Sequence, residues 1–459
     1  MMWQKCKSDC FGAVPLRIFR LLFMPGTDQS YNPGIKIADC SRIHYDCLPE
    51  ESGKSMNKKK MPFVFLLCLR LSGCSLLDRM PQFTQISETQ KARQAEELRI
   101  QPSDPAREEA YRWFYYYQLP REEQDLYNRL RNGIETGATE VDARGLSDDQ
   151  VNRVWMALCF DNPAYFWLQR LSTGRLNDEI QVVVLPEKTE EIAAQQEQVN
   201  EAVEAVVEKA GDQDPWQMLK SFVEQIDLNT EYVEDASYLS DVRSVFLNGQ
   251  AVCGGYSRAF QLLCQKAGIP CIYVTGYDSQ GENHAWNQVI LNEQPYWIDA
   301  TWIDTTMSSS DDADPLAWQY FCSSDDRFLK DHTVHPALFY EDVDYGEDFQ
   351  IPSCPVDDLN YFVIAQDNIP AGDEAQVLAQ ADEILRRQLQ EPERTRFDFQ
   401  FEDPDNLELF CSTYLDGQEF FRTAQQVRPQ NIPQSIRFAR DDNNLVVTVF
   451  IKTGEDQSA

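Results

Sequence analysis

The stretch from Gly249 to Asp299 constrains this chain more than any other. Gly249-Gln250-Ala251-Val252-Cys253-Gly254-Gly255-Tyr256 opens a helix. Phe260, Leu263, Cys264 and Ala267 then recur at helical spacing until Gly268 and Pro270 end it. Three strand-like runs follow: Cys271 to Gly276, His284 to Ile290 and Tyr296 to Asp299. Asn292-Glu293 reads as a two-residue turn between the last two. A helix leading into such strands is an α+β unit. Cys253 then stands at a helix N-terminus, where unpaired backbone N–H groups and the helix dipole stabilise a thiolate. A two-residue turn sets Asp299 diagonal to His284 on one sheet face. Thiol, imidazole base and orienting carboxylate are the parts of an activated nucleophile. His284 is expected to take the thiol proton and Asp299 to fix its tautomer. The Cys253 N–H is a candidate oxyanion donor. Gly254 and Gly255 are expected to leave room for a substrate chain beside the sulfur, with Tyr256 and Trp286 also near the substrate. Metal binding by Cys253, His284 and Asp299 competes with this reading, but no CxxC or HxxxH spacing supports it, so neither metal nor cofactor is expected.

The flanks are less specific. At 459 residues the chain has room for two or three domains, and 42% hydrophobic residues can fill their cores. A net charge of −34 leaves no basic footprint for nucleic acid. Residues 106–180 read as a helical region: Leu126, Leu130 and Ile134 share a face, and Ser147 to Gln150 forms a capping box. The cluster Trp113 to Tyr117 suits a core or interdomain contact. Ile180 to Leu185 reads as a strand, with helices over 187–210 and from Trp216 to Ile226. Residues 355–459 read as a separate α/β unit. Its expected strands are Tyr361 to Ile364, Phe397 to Phe401 and Leu445 to Phe450, the last two half-buried, and Glu374 to Leu389 is its expected helix. Six cysteines besides Cys253 lie beyond residue 105. Their irregular spacing favours buried thiols over disulfides.

Residues 56–74 read MNKKKMPFVFLLCLRLSGC. Lys58, Lys59 and Lys60 precede an apolar run too short to span a bilayer. The ending Leu71-Ser72-Gly73-Cys74 resembles the lipobox of bacterial lipoproteins. That resemblance implies a signal peptide over 56–73, a lipid on Cys74, and an extracytoplasmic, membrane-anchored protein. Translation is then expected to begin at Met56, with residues 1–55 an unstructured or untranslated extension. Residues 74–105 suit a polar tether.

Three blocks, GQAVCGGYSRAFQLLCQKAGIPCIYVTG, HAWNQVIL and YWIDATWID, resemble the transglutaminase-like superfamily in family order. The resemblance implies a papain-like α+β core over 181–345, in which a helix bearing the cysteine packs on an antiparallel sheet. It implies Cys253 as nucleophile, His284 as general base and acid, and Asp299 as orienter. His332 is a family-like position, expected to be structural or to support the triad. Some animal members assist the oxyanion with an indole upstream of the cysteine, and Tyr238 to Gln250 contains no tryptophan. The expected activity is therefore a cell-surface cysteine peptidase or amide hydrolase, acting on protein or peptide, cell-wall peptide included. A catalytically idle adhesion or scaffold lipoprotein and a protein-glutamine cross-linker remain the alternatives.

Overall fold

The computed structural model describes residues 35–38, 105–168, 170–176, 180–234, 238–304, 317–335 and 349–452. All belong to one compact unit. The segment carrying Cys74, the tether after it and the polar loop Ser308–Asp312 lie outside the described residues.

An edge strand, β1 (Ile35–Ala38), comes first. Helices α1 (Pro105–Arg112), α2 (Phe114–Gln118) and α3 (Arg121–Thr136) lead into β2 (Glu140–Asp142) and α4 (Asp148–Asp161). The capping box at Ser147 is present: its hydroxyl accepts from Gln150 N–H at 3.2 Å, and the Gln150 side chain accepts from Ser147 N–H at 2.9 Å. Strands β3 (Thr173–Leu176) and β4 (Ile180–Val184) join β2 in an antiparallel sheet of order β2-β4-β3. The N-terminal region is thus not purely helical, because β2 and β3 are too short to announce a period of two. Tyr115 of the aromatic cluster is buried and donates its hydroxyl to the Tyr273 carbonyl at 2.5 Å. Asp161 accepts from the N–H groups of Tyr115 and Tyr116. Tyr115 is therefore core, Trp113, Phe114 and Tyr116 are half-buried around it, and Tyr117 is exposed.

Helices α5 (Glu190–Ala210) and α6 (Pro215–Asn229) bury Val199, Val203, Leu219, Phe222 and Val223 beneath α7 (Cys253–Ala267). Between them, β5 (Glu231–Tyr232) pairs in parallel with β6 (Gln250–Ala251). After α7 come β7 (Cys271–Asp278), β8 (Asn283–Leu291) and β9 (Gln294–Ile298). Asn292 and Glu293 both have positive φ, 47° and 65°, as the tight hairpin turn requires. Next are α8 (Ala300–Ile303), β10 (Phe321–Ser323), α9 (Asp325–Phe328) and β11 (His332–Val334). The central sheet runs β10-β9-β8-β7-β11 and is antiparallel throughout. Ser257 fastens α7 to it by donating to the Ala285 carbonyl at 2.8 Å, and Asn287 donates to the Ser257 carbonyl at 3.1 Å. This is the α+β, papain-like arrangement that the resemblance implied.

The remainder forms α10 (Tyr361–Ala365), β12 (Asn368–Ile369), α11 (Glu374–Gln388), β13 (Arg396–Phe401), α12 (Pro404–Phe410), α13 (Glu419–Val427), β14 (Ser435–Asp441) and β15 (Val446–Lys452). Tyr361 to Ile364 is helical rather than a strand, because Asn360 caps it by accepting from Phe362 N–H at 3.2 Å. The sheet order is β1-β14-β15-β13-β12, with β12 parallel to β13. Phe397, Phe399 and Phe401 are buried as the alternation predicts, but Asp398 and Gln400 are buried too. The strand is therefore covered on both faces, and Thr448 and Arg396 bond the Asp398 carboxylate. The seven described cysteines are free thiols, five of them buried. Among the described residues no helix is long and apolar enough to cross a membrane.

Candidate active site

Cys253 is the first residue of α7 and is half-buried. The N–H groups of Gly255 and Tyr256 bond back to the Val252 carbonyl, which tightens this first turn. His284 sits at the start of β8, and Asp299 directly follows β9. The hairpin register sets Asn287 opposite Ile298. One step further, Trp286 faces Asp299, and His284 falls on the diagonal, as the two-residue turn dictates.

His284 Nε2 lies 2.6 Å from Asp299 Oδ2. The other oxygen, Oδ1, caps α8 by accepting from Thr301 N–H at 2.9 Å and Trp302 N–H at 3.1 Å. A fourth partner is His332, whose Nε2 lies 3.1 Å from Oδ2. A carboxylate offers about four acceptor positions, so all of them are engaged. Because an ionised carboxylate only accepts, His284 carries its Nε2 proton toward Asp299 and leaves Nδ1 as the nitrogen for Cys253. Burial disfavours a charged imidazole here. The Asp299 carboxylate and a hydrogen bond with the Cys253 side chain outweigh it, and the His284 pKa rises to about 10. Asp299 moves the opposite way. Burial would raise it, but His284 and then His332 hold it well below the usual carboxylate range. An aromatic box dries the pair: Trp286 and Trp302 lie 5.8 and 5.3 Å from the His284 ring, and Phe328 stacks on His332 at 3.9 Å.

Residues 190–304, which hold all three groups, match the profile of the transglutaminase-like superfamily. This segment belongs to the transglutaminase-like superfamily, a family of thiol-dependent enzymes. The chain is similar to kyphoscoliosis peptidase of Mus musculus, 34% identical over 105 residues, which are 20% of this chain and 14% of that protein. It is likewise similar to kyphoscoliosis peptidase of Homo sapiens, 33% identical over 105 residues, again 20% of this chain and 14% of the relative. A solved structure described as a TGase aligns at 19% identity with a TM-score of 0.23, over 32% of this chain and 47% of the other. The chain thus spans about a seventh of the length of these curated relatives.

The residues expected beside the substrate make contacts within the chain itself. A Cβ on Gly254 would stand 3.1 Å from the Ser240 side chain, and one on Gly255 would meet Ser244 and stand 2.6 Å from the Leu239 carbonyl. On the side where a Cβ would stand, both glycines therefore make room for the chain's own 239–244 segment. Tyr256 is fully buried and turns its hydroxyl to Asp304 Oδ2 at 2.6 Å and the Thr230 carbonyl at 3.3 Å. Trp286 is also fully buried and supports the imidazoles from within.

His284, Asp299 and His332 bring three possible metal-ligand atoms within 4.8 Å of one another. Ligands about 2.0–2.2 Å from a shared ion stand further apart than the His284–Asp299 contact. At 2.6 Å, His284 Nε2 and Asp299 Oδ2 share a proton. The sequence reading gave His332 a supporting role but assigned none to Asp331, whose carboxylate holds His332 Nδ1 at 2.7 Å. The adjacent Asp331-His332 pair was the available signal.

Proposed function

We propose that this protein is a cysteine peptidase or amide hydrolase in which Cys253 is the nucleophile. One observation carries the reading: His284 is buried between the Cys253 side chain and the saturated carboxylate of Asp299, 2.6 Å away, and that carboxylate pushes the imidazole pKa up to about 10. A cationic imidazole beside the sulfur is the partner that an attacking thiolate needs.

The sulfur of Cys253 adds to an amide carbonyl carbon, and the oxyanion forms at the start of α7, where the Cys253 N–H is the candidate donor. Collapse breaks the C–N bond as the His284 Nδ1 proton passes to the departing amine. A thioester remains. Water then attacks it, giving a proton to His284, and the C–S bond breaks to release the acid and restore the thiolate–imidazolium pair. Asp299 keeps the ring's orientation through both halves. The absence of tryptophan between Tyr238 and Gln250 favours water over an amine as acceptor. The peptidase name of the mammalian relatives agrees, across their short matched segment. The lipobox-like ending at Cys74 supports a cell-surface, lipid-anchored setting.

The test is iodoacetamide labelling of Cys253 across pH, with peptide and peptidoglycan fragments screened against wild type and Cys253→Ala. Cys253 is expected to label faster than a free thiol at mildly acidic pH, and labelling is expected to weaken in His284→Ala. Labelling that follows an ordinary thiol curve would end the catalytic reading.

A further inference from the structure

The hydrogen bonds do not stop at the triad. His332 uses Nε2 on Asp299 and Nδ1 on Asp331 Oδ1 at 2.7 Å. The second Asp331 oxygen accepts from the Tyr320 hydroxyl at 3.0 Å and from the Asn444 amide at 3.4 Å. Asn444 belongs to the turn between β14 and β15, more than a hundred residues downstream. Its amide also donates to Asp441 Oδ2 at 3.1 Å, while Asp441 Oδ1 accepts the N–H groups of Asn443 and Asn444 at 2.9 and 3.0 Å. Gln319 donates to Asp441 Oδ2 at 3.1 Å from the other side. Asp299, His332, Asp331, Tyr320, Asn444 and Asp441 are all buried.

We infer that the β14–β15 turn is a positioning element of the active site, with Asn444 and Tyr320 fixing Asp331, Asp331 fixing His332, and His332 fixing the Asp299 oxygen that orients His284. This rests on the catalytic reading above. A buried polar chain is favourable only when every member is satisfied, and loss of one link leaves a desolvated group free to turn. Here each link's partner is the next link. The C-terminal unit, in which the sequence displayed no chemistry of its own, thereby supplies the last shell of the site.

The experiment measures the Cys253 alkylation rate from about pH 5 to 9 in wild type, Asn444→Ala, Tyr320→Phe and Lys330→Ala, each checked by circular dichroism and melting. Lys330 donates to the Asn443 carbonyl at 2.8 Å, outside the buried chain, and so controls for docking of the turn alone. Asn444→Ala and Tyr320→Phe are expected to lower the rate near pH 6 several-fold, moving the acid limb up by about 0.5–1 pH unit. Lys330→Ala is expected to keep the wild-type profile. Tyr320→Phe keeps the ring and its packing, so it decides the matter if Asn444→Ala does not fold. Folded variants with the wild-type profile would overturn the inference and leave the catalytic reading standing. An ordinary thiol curve in wild type itself would overturn both.

Discussion

His284 and His332 end on the same oxygen of Asp299, at 2.6 and 3.1 Å. Two rings from separate strands, β8 and β11, thus read one charge. The other oxygen of that carboxylate caps α8, so it cannot rotate without breaking a helix start. Orientation of the His284 ring is fixed by a group that is itself fixed from three directions. That rigidity is the preorganisation that the proposed acyl transfer would demand.

Asp299→Asn tests this directly. The amide keeps the shape but loses the charge, and its NH2 cannot accept from an imidazole N–H. The carboxylate is the main influence opposing burial at His284, so the histidine pKa is expected to fall from about 10. On the proposed catalytic reading, turnover is expected to drop by roughly 10³–10⁴-fold, the scale on which an uncharged orienter disables a catalytic triad. Alkylation of Cys253 near pH 6 is expected to fall with it. Hydrolysis kinetics and alkylation, measured on one preparation, check both.

Stability should carry the same signature. His284 is raised in the folded state, so its contribution is complete below the unfolded value of about 6.5 and is lost as pH climbs through about 10. Asp299 is depressed, so its contribution is present above about 4 and is lost only as pH falls through its lower folded value. The pair is therefore expected to stabilise most fully from about pH 4 to 6.5 and progressively less toward 10. Urea unfolding of wild type and His284→Gln at several pH values reads this. The wild-type advantage is expected to shrink between pH 6.5 and 9.5, and a constant difference would contradict the ion pair.

Much of this was legible in the sequence because local rules decide it. The Cys253 helix start, the Asn292-Glu293 turn and the step from Trp286 to Asp299 all follow from spacing. Short elements escaped: β2 has three residues, and α10 is set by the Asn360 cap rather than by its strand-like composition. The glycines misled for another reason. A missing Cβ signals close approach, but spacing does not say what approaches, and the structure shows Ser240 and Leu239 there. The Asn444–Asp331 contact was invisible because nothing local joins residues 113 positions apart.

Tyr256 offers a control on the corrected site. Its hydroxyl donates to the buried Asp304 at 2.6 Å, far from any role beside the sulfur. Tyr256→Phe removes a charge-assisted bond while keeping the ring, at an expected stability cost of about 1–3 kcal/mol. The denaturation midpoint is expected to fall while the Cys253 alkylation profile stays as in wild type. A tenfold change in alkylation by a fully folded variant would return Tyr256 to the chemistry.

Gly276 gives the sharpest packing prediction, since it pairs directly with His284 across β7 and β8. A Cβ there would collide with the Thr333 carbonyl of β11 and stand 2.6 Å from the Trp286 ring. Neither neighbour can retreat cheaply. Thr333 is strand backbone beside His332, and Trp286 is fully buried against both imidazoles. Gly276→Ala is therefore expected to destabilise by about 1–3 kcal/mol or more, the range for overpacking. It should also disturb function beyond its stability effect, because relief of the clash pushes β11 and His332 away from Asp299. Urea unfolding together with alkylation at a temperature where the variant is fully folded separates the two effects. The expected result is a lower midpoint and a slower rate near pH 6. A variant as stable as wild type would show that β11 does not press on this strand.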